Sequence, residues 1–128
     1  MIRCACLLET KDKAIMLVRV RDNDLWYLPG GTIEDGETPP DTLIREIAEE
    51  LNVRIDEASV GFERVVVGPA LGRAGDVELN CFRARWAGDM RATAEVSEVA
   101  YLGFDQRDRM APAVRILVEQ LQSELAAS

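Results

Sequence analysis

Three acidic side chains, Glu46, Glu49 and Glu50, fall close together in a stretch with the apolar periodicity of a helix. At about 100° per residue they share one face, within an arc of about 100°. Like charges three and four residues apart repel each other, and negative charge is unfavourable near the carboxyl end of a helix. Hard divalent cations, Mg²⁺ or Mn²⁺, bind such carboxylates and would relieve both penalties. The alternative interpretation is a solvated acidic surface with no ligand.

The helix that must position these carboxylates carries its own start and stop signals. Thr38 is predicted as the N-cap, Pro39 occupies the first helical position, and Asp41 is the acidic partner of a capping box. Asn52 suits a left-handed stop at the carboxyl end. The arc opposite the glutamates is apolar and is expected to face a core; it holds Leu43, Ile44, Ile47, Ala48 and Leu51.

Composition excludes several classes of function. The chain has 128 residues, the length of one domain, and its 15 Lys and Arg against 23 Asp and Glu give a net charge of −8. A polymeric nucleic acid is therefore not an expected partner. The absence of histidine excludes His-based catalytic triads, zinc sites with histidine and histidine-ligated haem. Cys4, Cys6 and Cys81 are predicted to be buried apolar residues rather than a disulfide framework.

No segment of the sequence has the features of a membrane anchor. No apolar run approaches the roughly 20 residues that cross a bilayer, and no charged leader precedes an apolar run with a cleavage site. We therefore expect a soluble protein of the reducing cytoplasm without a membrane partner. A homodimer is an open alternative, with residues 2–8 or the last helix as the interface.

Apolar and branched segments predict strands over residues 2–8, 14–20 and 26–28, and over 59–67, 76–86 and 99–103 after the acidic helix. Alternation slips near Cys81 and Phe82, which indicates a bulge. A second helix near the carboxyl end has an apolar stripe formed by Val114, Leu117, Val118, Leu121 and Leu125. This order predicts an α+β fold, an α/β/α sandwich with a mixed central sheet between helices, in one domain over residues 1–128.

The acidic helix belongs to a longer motif with fixed spacing. Gly31 is followed after five residues by Glu37, and after seven more by Arg45-Glu46-Ile47-Ala48-Glu49-Glu50-Leu51-Asn52-Val53. With the lead-in Trp26-Tyr27-Leu28-Pro29-Gly30-Gly31, this pattern resembles the Nudix box of the Nudix (MutT-like) hydrolase superfamily. Asn52 stands where a glycine is usual, and asparagine tolerates a positive φ better than most residues.

The resemblance implies a Nudix-like α/β/α sandwich with a metal site. In that family the glutamates matching Glu46, Glu49 and Glu50 bind divalent cations. The backbone carbonyl matching Gly30 often joins them. The implied cofactor is Mg²⁺, with Mn²⁺ as an alternative.

The resemblance also assigns roles around the metal ligands. Glu37 and Arg45 match a pair that holds the loop against the helix, and a rigid Arg–carboxylate fork also keeps neighbouring glutamates in place. Glu49 is the first candidate for the catalytic base. Glu98, expected just before a late strand, is the second candidate or an additional ligand.

The implied reaction is cleavage of the pyrophosphate bond of a nucleoside diphosphate linked to another moiety. The substrate stays open among NTP or dNTP, ADP-ribose and nucleotide sugars. Pro69 lies close to the position of a proline common in ADP-ribose-cleaving members. Candidates for contacts with phosphates or a base are Arg19, Arg64, Arg83 and Trp26. The alternative function is a non-catalytic module that binds nucleotides or proteins.

Overall fold

The computed structural model describes residues 1–21 and 23–128. Strands and helices follow one another along these residues, with two short 3₁₀ turns at Glu57–Ser59 and Arg107–Arg109. The elements are β1 (Ile2–Leu7), β2 (Thr10–Lys11), β3 (Ala14–Val20), β4 (Trp26–Tyr27), β5 (Gly30–Thr32), α1 (Pro39–Leu51), β6 (Arg54–Ile55), β7 (Gly61–Pro69), β8 (Asp76–Arg83), β9 (Trp86–Ala87), β10 (Val96–Gly103) and α2 (Pro112–Ala127).

The strands form a mixed sheet and an antiparallel sheet. The mixed sheet has the order β5-β1-β8-β7, and the antiparallel one has the order β10-β3-β2 with β4 also paired to β3. β1 and β8 run parallel, whereas β5 and β7 run antiparallel to their neighbours. The expected α+β fold with a mixed sheet is confirmed. Since β1 lies between β5 and β8 and residues 5–8 are buried, only residues 2–4 of the suggested dimer interface at residues 2–8 keep exposed surface.

Alternate residues of β1 enter two hydrophobic cores, as the two-residue period of a strand requires. Ala5 and Leu7 pack in the core that contains the apolar face of α1, whereas Cys6, and Leu8 directly after β1, pack in the core of α2. The buried part of the α1 face consists of Leu43, Ile47 and Leu51, and that of α2 includes Val114, Leu117, Val118 and Leu121. Each helix therefore covers one layer of the sandwich.

Each predicted apolar helix face includes one residue that is exposed in the structure. Leu125 is 49% exposed, because burial along α2 ends at Leu121 and its final turn is surrounded by solvent. Ala48 is also exposed, at the border of the acidic face of α1. None of the helices formed by the described residues is long and apolar enough to cross a lipid bilayer.

Strand boundaries differ from the prediction where long-range pairing decides them. β7 begins at Gly61 rather than at residue 59, because Asp56 accepts a hydrogen bond from the Ala58 N–H and starts a 3₁₀ turn (3.2 Å). The segment 76–86 is divided, since β9 leaves the sheet and pairs with β6. The register shift lies in β7, between Phe62 and Arg64, opposite the predicted position in β8.

Candidate active site

Hydrogen bonds between nearby residues fix where α1 begins and where it ends. Thr38 Oγ1 accepts from the Asp41 N–H, and the Asp41 carboxylate accepts from the Thr38 N–H, both at 3.2 Å. The predicted capping box is therefore confirmed. Asn52 ends the helix at φ 60°, with its N–H on the Ala48 carbonyl (3.2 Å). Its side-chain amide donates to the Asp89 carbonyl (3.1 Å), a contact that a glycine would lack.

The Gly30-Gly31 turn brings β5 into contact with the glutamates of α1. The Gly30 N–H donates to Glu50 Oε1 at 3.0 Å. Gly30 has φ 145°, and a Cβ there would lie 2.1 Å from the Ala5 carbonyl oxygen. A Cβ on Gly31 would lie 2.3 Å from the Glu46 carboxyl carbon. Two glycines are therefore needed for backbone and carboxylates to approach this closely.

Glu37 and Arg45 form the expected fork. Arg45 Nε and Nη2 donate to the two carboxylate oxygens of Glu37 at 2.7 and 2.9 Å. The buried Thr42 hydroxyl donates to the same carboxylate at 2.8 Å. Arg45 Nη1 donates to Glu46 at 2.9 Å and lies 3.8 Å from the Glu49 carboxylate. The fork thus holds the loop before α1 and aligns one glutamate of the acidic face.

This pairing shifts the ionisation of Glu37. Its hydrogen bonds from Arg45, and then from Thr42, lower the pKa of Glu37 from 4.5 to about 2. A carboxyl with a depressed pKa stabilises the fold above its unfolded pKa, and the contribution disappears as the pH falls through the folded value. We therefore expect the difference in free energy of unfolding between the wild type and Glu37→Gln to shrink between pH 4.5 and pH 2. Urea unfolding across this range measures it, and a constant difference would contradict the pairing.

The three glutamates of α1 differ in environment. Burial, followed by the charges of Glu46, Glu49 and Glu95, raises the pKa of Glu50 to about 7, although the Gly30 N–H opposes this shift. Burial also raises the pKa of Glu46, against the effect of Arg45. The Glu49 side chain is 55% exposed. Crowded carboxylates of this kind suit a hard divalent cation, because it would offset their mutual repulsion.

The carboxylates are not arranged as a closed cage. Over residues 1–21 and 23–128, no three His, Cys, Asp or Glu side chains are grouped as a metal site. The oxygens of Glu46 and Glu50 instead face Arg45 and the Gly30 N–H. The donor chemistry fits a cation, and binding requires the glutamate side chains to turn away from these partners.

A loop that the sequence analysis did not single out brings a fourth carboxylate to this group. Thr93 donates from its N–H to the Glu50 carbonyl at 2.8 Å and from its hydroxyl to the Glu49 carbonyl. Glu95 follows two residues later, close enough for its charge to act on Glu50. The contact joins residues over 40 positions apart, and nothing in the local pattern distinguishes Glu95 from other surface acids.

Glu98 lies in a different place from the one expected. β10 begins at Val96, so Glu98 is within the strand rather than in the preceding loop. Its carboxylate forms an ion pair with Arg19 of β3. β10 is longer than predicted because residues 96–98 also pair with β3. These residues are mostly polar, and such a pattern does not indicate a strand. The catalytic role of Glu98 stays a prediction.

A cavity of about 290 Å³ opens beside Glu50, and it is lined by the mixed sheet, by β3 and β4 of the antiparallel sheet, and by the start of α2. Its wall is mostly apolar, and it includes Pro69. Among the described residues, Glu50 and Arg73 are the charged side chains that line it. Arg73 is a second residue that the sequence analysis missed, because its loop is placed over the cavity only by the pairing of β7 with β8.

The other candidate substrate contacts lie outside this cavity. Arg64 pairs with Glu124 at 2.6 Å, and Arg83 donates to the Thr10 hydroxyl at 2.8 Å. Trp26 is 3% exposed and belongs to the core, with the Arg19 and Arg109 guanidinium groups 5.9 and 5.8 Å from its ring. Ion pairing and core packing account for these side chains, so their substrate roles stay predictions without support from the cavity.

Residues 2–121 match the NUDIX domain. The chain belongs to the Nudix family. One Nudix relative, the MutT-like protein of Streptomyces ambofaciens, is 30% identical over 122 residues, which cover 91% of this chain and 74% of that protein. The dihydroneopterin triphosphate diphosphatase of Haemophilus influenzae is 46% identical over 55 residues, 41% of this chain and 35% of that enzyme. The chain is thus a Nudix hydrolase, of a family with diphosphatases that cleave pyrophosphate bonds.

Solved structures agree with the Nudix fold. The solution structure of the Escherichia coli ORF135 protein has a TM-score of 0.75 and 25% identity, covering 99% of this chain and 92% of that one. A bifunctional NMN adenylyltransferase/ADP ribose pyrophosphatase from Francisella tularensis, complexed with AMP and a Mn ion, has a TM-score of 0.71 and 22% identity. The match covers 95% of this chain and 41% of that one. At such identity the second likeness concerns the fold.

Proposed function

We propose that this Nudix hydrolase is Mg²⁺-dependent, with Mn²⁺ as an alternative, and cleaves the pyrophosphate bond of a nucleoside diphosphate linked to another moiety. The observation that carries the proposal is the position of Glu50. It belongs to the acidic face of α1, contacts the Gly30 N–H, and lines the cavity. A substrate in that cavity would have its phosphates beside the carboxylates and its remaining part against apolar side chains.

The proposed metal site consists of Glu46, Glu49 and Glu50, with the Gly30 carbonyl as a further ligand. When bound, the cation would neutralise phosphate charge and acidify the attacking water. The fork of Glu37 and Arg45 keeps Glu46 on the same side of α1 as Gly31. The helix and the Gly30-Gly31 turn would therefore keep the ligands close together, and the Glu46 and Glu50 carboxylates would turn from Arg45 and the Gly30 N–H to the cation when it binds.

Glu49 is the proposed proton acceptor. Glu46 is held by Arg45 and Glu50 by Gly30, whereas the carboxylate of Glu49 has no partner closer than 3.8 Å among the salt bridges of the described residues. An exposed carboxylate that a cation does not fully engage can accept a proton from water. Glu98 remains the alternative base.

Substitutions at Glu95 and Glu98 distinguish the roles of these two carboxylates. We expect Glu95→Gln to lower kcat roughly tenfold, since a charge close to Glu50 is lost, and Glu98→Gln to change kcat less than about twofold. Steady-state rates at saturating Mg²⁺ measure both, and the two substitutions remove the same charge. A loss of about 100-fold in Glu98→Gln would instead assign Glu98 as the base.

A substrate panel tests the function itself. NTPs, dNTPs, ADP-ribose, dinucleoside polyphosphates and nucleotide sugars are incubated with Mg²⁺, and the release of phosphate, pyrophosphate or AMP is followed. We expect hydrolysis of at least one class, abolished by a chelator. Tight nucleotide binding without hydrolysis across the panel would favour the non-catalytic module instead.

Cys4, Cys6 and Cys81 are free thiols, which supports a reducing compartment such as the cytoplasm. A nucleotide is the proposed partner, and polymeric nucleic acid and membranes are not. A homodimer stays a prediction, with the last helix as one candidate interface, and light scattering of the purified chain tests it.

A further inference from the structure

The loop between β7 and β8 places a positively charged side chain, Arg73, at the cavity. It is closed by a hydrogen bond from the Ala70 N–H to the Gly75 carbonyl (3.1 Å), and Gly72 and Gly75 both have positive φ. Arg73, between these glycines, lines the cavity. It has no salt-bridge partner among the described residues. Its guanidinium is therefore available to a ligand.

Arg73 and Glu50 lie towards opposite ends of the cavity. Glu50 is bonded to Gly30, which is opposite Cys6 of β1. The Arg73 loop ends at Asp76, next to Val77, which is opposite Ile2. From Cys6 to Ile2 is four residue steps along β1, about 13 Å at roughly 3.3 Å per step. A substrate with its pyrophosphate at Glu50 would extend along β1 towards Arg73.

The space between the two ends suits a nucleobase. Tyr27 supplies an aromatic ring, and the described lining residues include no Asn, Gln or Asp, so that besides Arg73 and Glu50 only the Tyr27 and Thr32 hydroxyls are polar side-chain groups. Arg73 is the one side chain of that lining with a planar fork of donors. Such a fork pairs with two adjacent acceptors, as guanine presents with O6 and N7, whereas adenine presents an amino donor beside N7.

We propose that Arg73 is a specificity-determining residue that selects substrates with a guanine-type base over an adenine-type base. The inference rests on the proposed function in one respect, because it assumes that the phosphates lie at Glu50. The contact itself needs only the base, so a nucleoside monophosphate without a pyrophosphate bond should also show it.

The test compares kcat/KM for dGTP and dATP in the wild type, Arg73→Ala, Arg73→Lys and the control Arg54→Ala. Arg54 is exposed on β6 and does not line the cavity. We expect the wild type and Arg54→Ala to favour dGTP roughly ten- to a hundredfold, the discrimination of one bidentate contact. Arg73→Ala and Arg73→Lys should both lose this preference, because lysine keeps the charge and lacks the fork.

Calorimetry with GMP and AMP gives a second measurement that does not depend on hydrolysis. Tighter binding of GMP that disappears in Arg73→Ala supports the inference, even if no nucleotide of the panel is hydrolysed and the proposed function fails. An unchanged dGTP-to-dATP ratio in Arg73→Ala overturns the inference while hydrolysis, if observed, leaves the function standing. An equal fall in kcat/KM for dGTP and dATP in Arg73→Ala also overturns the inference, because loss of a phosphate contact would have that effect.

Discussion

Glu50→Gln is expected to lower kcat by a factor of about 100 or more, because an amide replaces the anionic carboxylate that we propose as a metal ligand beside the cavity. The fold should survive. Burial raises the pKa of Glu50 to about 7, so above pH 7 the metal-free wild type contains a buried, unfavourable carboxylate that the amide removes. The metal-free variant should therefore melt at the same temperature as the wild type or higher. Rates on the best substrate and thermal melts in a chelator measure the two effects.

Glu119→Gln is the matched control. Glu119 is an exposed glutamate of α2, and the substitution makes the same change of charge far from the acidic face of α1. Both its rate and its melting temperature should equal those of the wild type. A Glu50→Gln enzyme with an unchanged rate would remove Glu50 from the site. A variant that melts well below the wild type would mean that Glu50 is a structural residue.

Gly30→Ala should destabilise the protein by at least about 3 kcal/mol, and lower its melting temperature by roughly 10 °C or more. Its φ of 145° is unfavourable for alanine, and the added Cβ would lie 2.1 Å from the Ala5 carbonyl oxygen, which belongs to the central strand and cannot move freely. The shift of β5 should also move the Gly30 N–H away from Glu50. We therefore expect a lower kcat as well. Denaturant unfolding and steady-state rates test both consequences.

Two other glycines separate backbone strain from the steric clash. Gly36 has φ 85° with no atom within 4 Å of the added Cβ, so Gly36→Ala should cost only about 1 kcal/mol for the left-handed backbone. Gly61 has equally open space and no positive φ, and Gly61→Ala should lie within about 0.5 kcal/mol of the wild type. If all three variants are equally stable, close packing of β5 on β1 is not what requires a glycine at position 30.

The features that were predictable from the sequence are those set by neighbouring residues. Both ends of α1 depend on residues within four positions of each other, namely Thr38 and Asp41 in the capping box and the left-handed Asn52. They can therefore be predicted without a structure. Glu37 and Arg45 are eight positions apart, and the resemblance to a known motif supplied their pairing. Their fork, confirmed here at 2.7 and 2.9 Å, lies within one loop and one helix.

The parts that were not predictable depend on contacts between distant segments. The charge of Glu95 acts on Glu50 because Thr93 binds the end of α1. Arg73 lines the cavity because β7 and β8 pair on either side of its loop. Glu98 was assigned to a loop since its pairing with β3 leaves no local signal. Strand pairing is decided by tertiary packing more than by intrinsic preference. Sequence reasoning therefore found the acidic helix of the candidate site and missed the residues that other segments bring next to it.

The parallel pairing of β1 with β8 has a consequence for synthesis of the chain. β1 spans residues 2–7, yet one of its two neighbours in the sheet consists of residues 76–83. During synthesis, β1 cannot pair with β8 until residues 76–83 have left the ribosome, by which time the Gly30 turn and α1 have already emerged. Parallel pairing between such distant segments is slow to form. Nascent chains stalled before about residue 83 should therefore bind chaperones and remain sensitive to protease.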